Sequence, residues 1–460
     1  MAHRHLIIAL FVSFVFYAPV PTFADDVQSP VADKYLDIQT VESKGGITAW
    51  LVEDHSIPII AMSYAFKDAG AKNDPADKQG LARLSSNTMD EGAGNLDSYT
   101  FQKMLRDYSV TLNFSATRDH FTGQLKTLTE NKSIAFNLLK NALISPRFDE
   151  EPVSRMRAAN QSRIKSSSSN PDWIAARIQN DVIFDGHSYA MNSGGTIRSL
   201  ESITTDDLRG FHKTLGRNQL IIGVVGDISA AELSVTLDNV FGEMPIIETK
   251  EPTQFDLKNA GKTYLYDMDI PQTVIEISQK GVRQSDDDYF ASKVMNFILG
   301  ESGFGSRLME EIREKRGLTY GIYSYFREYE ETPVFHISTS TANKNVSEML
   351  ELINVEIGNI KGSNVGEAEL AEAKSYLIGS LPLSLTSTDS IAGVLTSLQM
   401  DGLPIDYLDT RASHIDAVSA EDIQAAASRI FNERNFTTIL VGAPEEVIEF
   451  EKVTTLPNVE

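Results

Sequence analysis

The chain has 460 residues, 42% hydrophobic and 23% charged, an ordinary globular composition that excludes disordered and collagen-like classes. Asp and Glu outnumber Lys and Arg by 64 to 41, for a net charge of −23, and so acidic a surface repels phosphate backbones and excludes nucleic acid as a partner. With no cysteine there is no disulfide, no thiolate nucleophile and no Cys-ligated zinc.

The first 24 residues read as a signal peptide. Arg4 precedes an apolar run from Leu6 to Val20, and Thr22-Phe23-Ala24 supplies small residues at the cleavage positions. A membrane anchor is the competing reading, but the run is short for a span and Pro19 and Pro21 interrupt its end. No later stretch is long and apolar enough to cross a bilayer. An exported protein is expected, and a bacterial periplasm would fit.

The rest of the chain reads as one unit used twice. Ile203-Thr204-Thr205-Asp206-Asp207-Leu208 opens a helix and is followed by the apolar strand Leu220 to Gly226. Val418-Ser419-Ala420-Glu421-Asp422-Ile423 opens another and is followed by Phe436 to Gly442. The two offsets are 215 and 216 residues, counted from Thr204 to Ser419 and from Gly226 to Gly442. Thr204 and Ser419 are both good N-caps, with acidic residues in the first turn. Residues 25–243 form the first repeat, 244–262 a linker carrying Pro245, Pro252 and Gly261, 263–450 the second repeat, and 451–460 a polar tail. A strand is predicted at 273–277 and helices at 287–299 and 346–360; the polar Ser166 to Ser169 tract suits a loop or a frayed helix end. Strands and helices mix without the alternation of a doubly wound sheet. The expected fold is α+β: two similar domains, each a mainly antiparallel sheet with helices packed on it.

One segment stands out chemically. Gly300, Gly303 and Gly305 give a loop of wide backbone freedom. A helix is expected from about Ser306, with Leu308 and Ile312 on one face and Gly317 just past its end. Leu318 to Phe326 suits a strand. Arg313 in the last turn and Tyr320 early on that strand would together present a guanidinium fork and a phenolic donor, both suited to carbonyl oxygens. Composition alone favours a blander account, with Arg313 in a solvated charge run and Tyr320 in the core.

The chain resembles the insulinase/pitrilysin family of zinc peptidases, which includes mitochondrial processing peptidase. The run SRLMEEIREKRGLTY is similar to the family's Arg/Tyr motif, with Arg313 followed seven residues later by Tyr320. Ile57-Pro58, Gly80-Leu81-Ala82, Glu91-Gly92 and His187-Ser188-Tyr189 resemble the N-terminal half, with Ser188 where the family has proline. Active members carry H-x-x-E-H after the Gly-Leu-Ala segment, two histidines binding zinc and the glutamate activating water. Here that stretch is Arg83-Leu84-Ser85-Ser86-Asn87, so Arg83 and Asn87 hold the ligand positions and Ser86 the base position. The family's third ligand, a glutamate about 75 residues on, falls near Arg163, and no glutamate occurs between Pro152 and Leu200. The histidines His3, His5, His55, His120, His187, His212, His336 and His414 show no H-x-x-x-H spacing beyond the leader.

The resemblance implies a subunit that binds no cofactor of its own. It would pair with an H-x-x-E-H subunit carrying the zinc and lend Arg313 and Tyr320 to bind peptide substrate and stabilise the oxyanion there. Gly303 and Gly305 would help guide the peptide. The alternative is a catalytically inactive scaffold or a peptide-binding member of the family.

Overall fold

The computed structural model describes residues 34–363, 365–445 and 449–456. The expected signal peptide lies outside the described residues. Among the described residues, twelve strands form two six-stranded sheets. The first contains β1 (Gln39–Glu42), β2 (Thr48–Glu53), β3 (Ile59–Phe66), β4 (Thr111–Ala116), β5 (Phe121–Leu128) and β6 (Leu220–Gly226), in the order β1-β2-β6-β3-β5-β4. The second contains β7 (Thr263–Asp267), β8 (Gln272–Lys280), β9 (Ile322–Glu328), β10 (Pro333–Ala342), β11 (Thr437–Gly442) and β12 (Glu451–Val453), in the order β12-β7-β11-β8-β10-β9.

Reading both orders inward from the edges, β2, β6, β3, β5 and β4 correspond to β7, β11, β8, β10 and β9. In each sheet the strand after the capped helix runs parallel to one neighbour and antiparallel to the other, β6 between β2 and β3, β11 between β7 and β8. The α+β duplication expected from the paired offsets is the observed architecture. Both predicted caps form as full capping boxes. Thr204 accepts from the Asp207 N–H while the Asp207 carboxylate accepts from the Thr204 N–H, and Ser419 and Asp422 do the same.

The outer strands break the symmetry. β1 comes from the start of its repeat and pairs antiparallel to β2, whereas β12 comes from the end of the chain and pairs parallel to β7. The expectation that 451–460 is only a polar tail is therefore corrected. Glu451 to Val453 complete the second sheet, with Lys262 bound to Glu451 at 2.9 Å, and short polar composition concealed an edge strand.

Each sheet buries one face under helices of its own repeat, giving two large cores. The opposite face is covered by a helix from the other repeat. Helix Pro171–Ile183 lays Ile174, Ala175 and Ile178 against Val274, Ile439 and Val441 of the second sheet. Helix Thr388–Met400 lays Ala392 and Leu395 against Val52, Ala61 and Val225 of the first. Thr396 donates to the Ser63 carbonyl at 3.0 Å and Gln399 to that of Ile222 at 3.0 Å. This reciprocal cover explains why β8 is buried almost end to end, whereas β4, nearer water, alternates buried and exposed.

Candidate functional site

The glycine loop and the Arg/Tyr segment form one exposed structure. Helix Tyr289–Asn296 runs into a π-helical turn, Phe297–Glu301, and a second π-helical turn, Met309–Glu314, follows the loop. Such wide turns recur at functional sites. Gly300 permits the first to lie against β9, because a Cβ there would stand 2.5 Å from Ser324 Oγ. Gly303 and Gly305 hold φ of 66° and 102°, left-handed values that side chains resist. Buried Ser306 donates from Oγ to the Gly303 carbonyl at 2.8 Å, and Asn296 Nδ2 donates to Glu301 at 2.8 Å. The loop is thus tied at both ends.

Arg313 lies in the second π turn. Its guanidinium sits 4.3 Å from the centre of the exposed Phe304 ring and pairs with Glu314. Gly317 closes the turn at φ 65°, its N–H donating to the Arg313 carbonyl at 2.9 Å. Tyr320 departs from expectation in two ways. It precedes the strand, which begins only at Ile322, because Thr341 Oγ1 donates to the Leu318 carbonyl and Thr339 Oγ1 to that of Gly321, holding the segment off the ladder. It also stands 88% exposed, which rules out the core reading. No hydrogen bond joins Arg313 to Tyr320. What the fold supplies is two separately anchored groups, the Tyr320 phenol in solvent and the Arg313 guanidinium beside Phe304.

The degenerate zinc positions lie on helix Leu81–Ser86. Asp74 caps it, accepting from the N–H groups of Gly80 at 2.9 Å and Ala82 at 3.0 Å. Ser86 is buried and donates its hydroxyl to the Arg83 carbonyl at 2.8 Å, so the base position is spent on the backbone. Asn87 accepts from Asn160 Nδ2 at 3.1 Å, and Asn160 belongs to helix Glu150–Ser167. That helix also carries Arg163. Burial first, and then the charge of Arg163, lowers the Arg83 pKa. The fold therefore sets Arg83 within electrostatic reach of Arg163 and ties Asn87 to Asn160, so the three positions matched to the family's ligands carry two arginines and one engaged asparagine. A guanidinium repels a divalent ion and the Asn87 amide is engaged, so this donor set does not fit zinc. Among the described residues no cluster of three His, Asp or Glu side chains is placed to hold a metal ion.

His187 and Tyr189 belong to a junction between the repeats that sequence reading missed. His187 Nε2 lies 2.7 Å from Glu331, Tyr189 donates to Asp119, and buried Lys72 reaches Glu330 at 2.6 Å, Asp68 at 3.1 Å and Glu331 at 3.5 Å. The His-x-Tyr pattern was visible, but its acidic partners Asp119 and Glu331 lie 70 and 144 residues away. Beside this junction opens a cavity of about 610 Å³, lined from the first repeat by Arg83 and Arg118 and from the second by Arg327 and Tyr329.

Comparison with known proteins agrees with this geometry. Residues 65–189 match the model of the Insulinase (Peptidase family M16) domain, and 202–377 that of the Peptidase M16 inactive domain. The chain belongs to the insulinase family, M16, and within it to members that lack the zinc motif. It is 27% identical over 81% of its length to a Helicobacter pylori protein described as a non-peptidase homolog, covering 86% of that protein. It is 20% identical over 84% of its length to the probable mitochondrial-processing peptidase subunit beta of Arabidopsis thaliana, covering 75% of it. The crystal structure of a peptidase M16 inactive domain from Pseudomonas fluorescens superimposes with a TM-score of 0.81 at 24% identity, over 91% of this chain and 100% of that one. A protease from Helicobacter pylori gives 0.79 at 17% identity, over 88% of this chain and 99% of that one. No helix among the described residues is long and apolar enough to cross a membrane.

Proposed function

We propose that this chain is the zinc-free subunit of an exported, heterodimeric M16 metalloendopeptidase. Its partner carries H-x-x-E-H and the metal. This chain supplies Arg313 and Tyr320 to grip the substrate carbonyl and to stabilise the oxyanion formed when water attacks it. One observation carries the reading. The ligand and base positions are filled by Arg83, Ser86 and Asn87, while Tyr320 stands 88% exposed on a pinned backbone, seven residues after an Arg313 whose guanidinium lies against the exposed Phe304 ring. A core residue gains nothing from such exposure, whereas a donor reaching into another subunit requires it. Gly303 and Gly305, held in left-handed backbone without side chains, would help guide the peptide.

The test is to assay the chain alone and mixed with an H-x-x-E-H family subunit from the same periplasm. Peptide cleavage is expected only from the mixture. Arg313→Ala and Tyr320→Phe should each lower turnover about 10²–10³-fold, the range for losing one placed oxyanion donor, and leave assembly intact by size-exclusion chromatography. Chelator-sensitive cleavage by the isolated chain would refute the assignment. Unchanged turnover in both variants would leave a scaffold.

A further inference from the structure

The cavity between the repeats carries an imbalance of charge that the proposed catalytic role leaves unused. Its basic lining is Lys67, Arg83, Arg118, Arg283 and Arg327. Among the described residues only Arg283 of these has a carboxylate in ion-pairing reach, Glu328 at 3.4 Å. Arg118 and Arg327 converge on one phenol, donating to Tyr329 Oη at 3.1 and 3.4 Å, with their guanidinium carbons 5.4 and 5.8 Å from its ring centre. The Nε atoms of Arg83 and Arg118 are buried without a hydrogen-bond partner. Most of the acidic lining is already engaged. Glu330 holds Lys72 at 2.6 Å, Asp119 accepts from Tyr189, and Glu328 accepts from the Gln284 N–H at 3.0 Å. Asp401 remains, already within electrostatic reach of Lys67, so Arg83, Arg118 and Arg327 are left without a carboxylate in ion-pairing reach.

Convergent cations in a partly enclosed space repel one another, and the half-buried Arg83 and Arg118 also lose hydration, an arrangement that is unfavourable until an anion joins it. A chain of net charge −23 has carboxylates to spare, yet none stands in ion-pairing reach of Arg83, Arg118 or Arg327. We infer that the cavity is a binding site for carboxylates, and that it takes an acidic peptide whose carboxylates lie between Arg83 of the first repeat and the Arg118–Tyr329–Arg327 group. Guanidinium forks match carboxylate oxygens two at a time, which a zinc site would not require. A volume of about 610 Å³ admits a ligand larger than a lone ion. The replacement of the family's first zinc ligand by Arg83 then exchanges one positive centre for another, with affinity for the same kind of oxygen and no means of activating water. The site is complete in a single chain and does not depend on the partner subunit.

Fluorescence anisotropy on the isolated full chain tests this directly. The probes are a fluorescein-labelled glutamate-rich peptide and its glutamine counterpart, each with a free and with an amidated C-terminus. The glutamate peptides should bind at least tenfold more tightly than the amidated glutamine peptide, and added salt should weaken them. Tight binding of the glutamine peptide only when its C-terminus is free would assign the terminal carboxylate as the anchor. Arg83→Gln, which removes a group with no partner in the fold, and Arg327→Gln should each weaken binding about tenfold. Arg209→Gln, on the exposed surface beside Asp206, should not. Thermal melts establish that the variants fold. Equal affinity for the glutamate and amidated glutamine peptides, or parental affinity in folded Arg83→Gln and Arg327→Gln, overturns the inference.

Discussion

His336 lies buried in β10, stacked on Tyr325 with ring centres 4.9 Å apart, and neither ring nitrogen has a hydrogen-bond partner. Burial above all, then the charges of Arg327 and Arg118, pushes its pKa down to about 3. The unfolded chain protonates this imidazole near pH 6.5, so the native state is favoured above that value and loses stability as pH falls from 6.5 toward 3. At pH 5 the loss amounts to about 2 kcal/mol. Buried carboxyls act the other way. Asp74 and Glu276, both pushed up to about 7 chiefly by burial, favour the fold most below the unfolded carboxyl range and lose that contribution as pH rises toward 7. His336→Phe isolates the histidine. In urea titrations at pH 7.5 and pH 5 the variant should lose less stability on acidification than the parent, by about 2 kcal/mol. Equal losses would show that the imidazole is not held neutral.

At the level of elements, the decisive contact is the helix each repeat lends to the other. Gly223 in β6 lies directly beneath helix Thr388–Met400, and a Cβ there would stand 2.5 Å from the Ala392 carbonyl and 2.8 Å from Leu395 Cβ. Neither atom can swing aside, because one is backbone and the other is fixed to it. Gly223→Ala should therefore lift the helix and cost about 1–3 kcal/mol, read from chemical denaturation. Gly210, inside helix Thr205–His212, meets nothing within 4 Å, and Gly210→Ala should gain about 0.5–1 kcal/mol from helix propensity. The contrast between two glycines of one repeat tests the packing rather than the residue type. Leu395→Ala, emptying a fully buried site in the same contact, should cost about 2–5 kcal/mol.

For the whole molecule, the exchange of helices means that neither repeat is self-sufficient. Residues 34–243 alone would leave Val52, Ala61 and Val225 without Ala392 and Leu395, and would expose helix Pro171–Ile183 without the second sheet. That fragment should bind a hydrophobic dye and aggregate, whereas the full chain should unfold in one transition by both fluorescence and circular dichroism. A soluble, cooperatively folding fragment would show that the lent helices are dispensable. The Lys72 junction adds a charged link between the same two halves, with Glu330 and Glu331 of the second reaching Lys72 and His187 of the first.

Local chemistry made much of this legible in sequence. The two capping boxes, the strands after them and the glycines around Arg313 depend on neighbours a few residues apart, and a periodic or capping pattern records such contacts directly. The departure from H-x-x-E-H was equally plain, since a guanidinium and a serine hydroxyl carry their chemistry wherever they fold. Tyr320 was misplaced onto the strand because hydroxyls of Thr339 and Thr341, on another strand, hold it off the ladder. β12 was missed because three residues that pair with β7 are too few to show a pattern. Residue identity alone determined that Arg83, Ser86 and Asn87 stand where the family's zinc motif would be. Only tertiary structure decided that its repeats cover each other's sheets and that Arg83, Arg118 and Arg327 share a cavity, because such meetings across hundreds of residues arise from packing and leave no periodic trace along the chain.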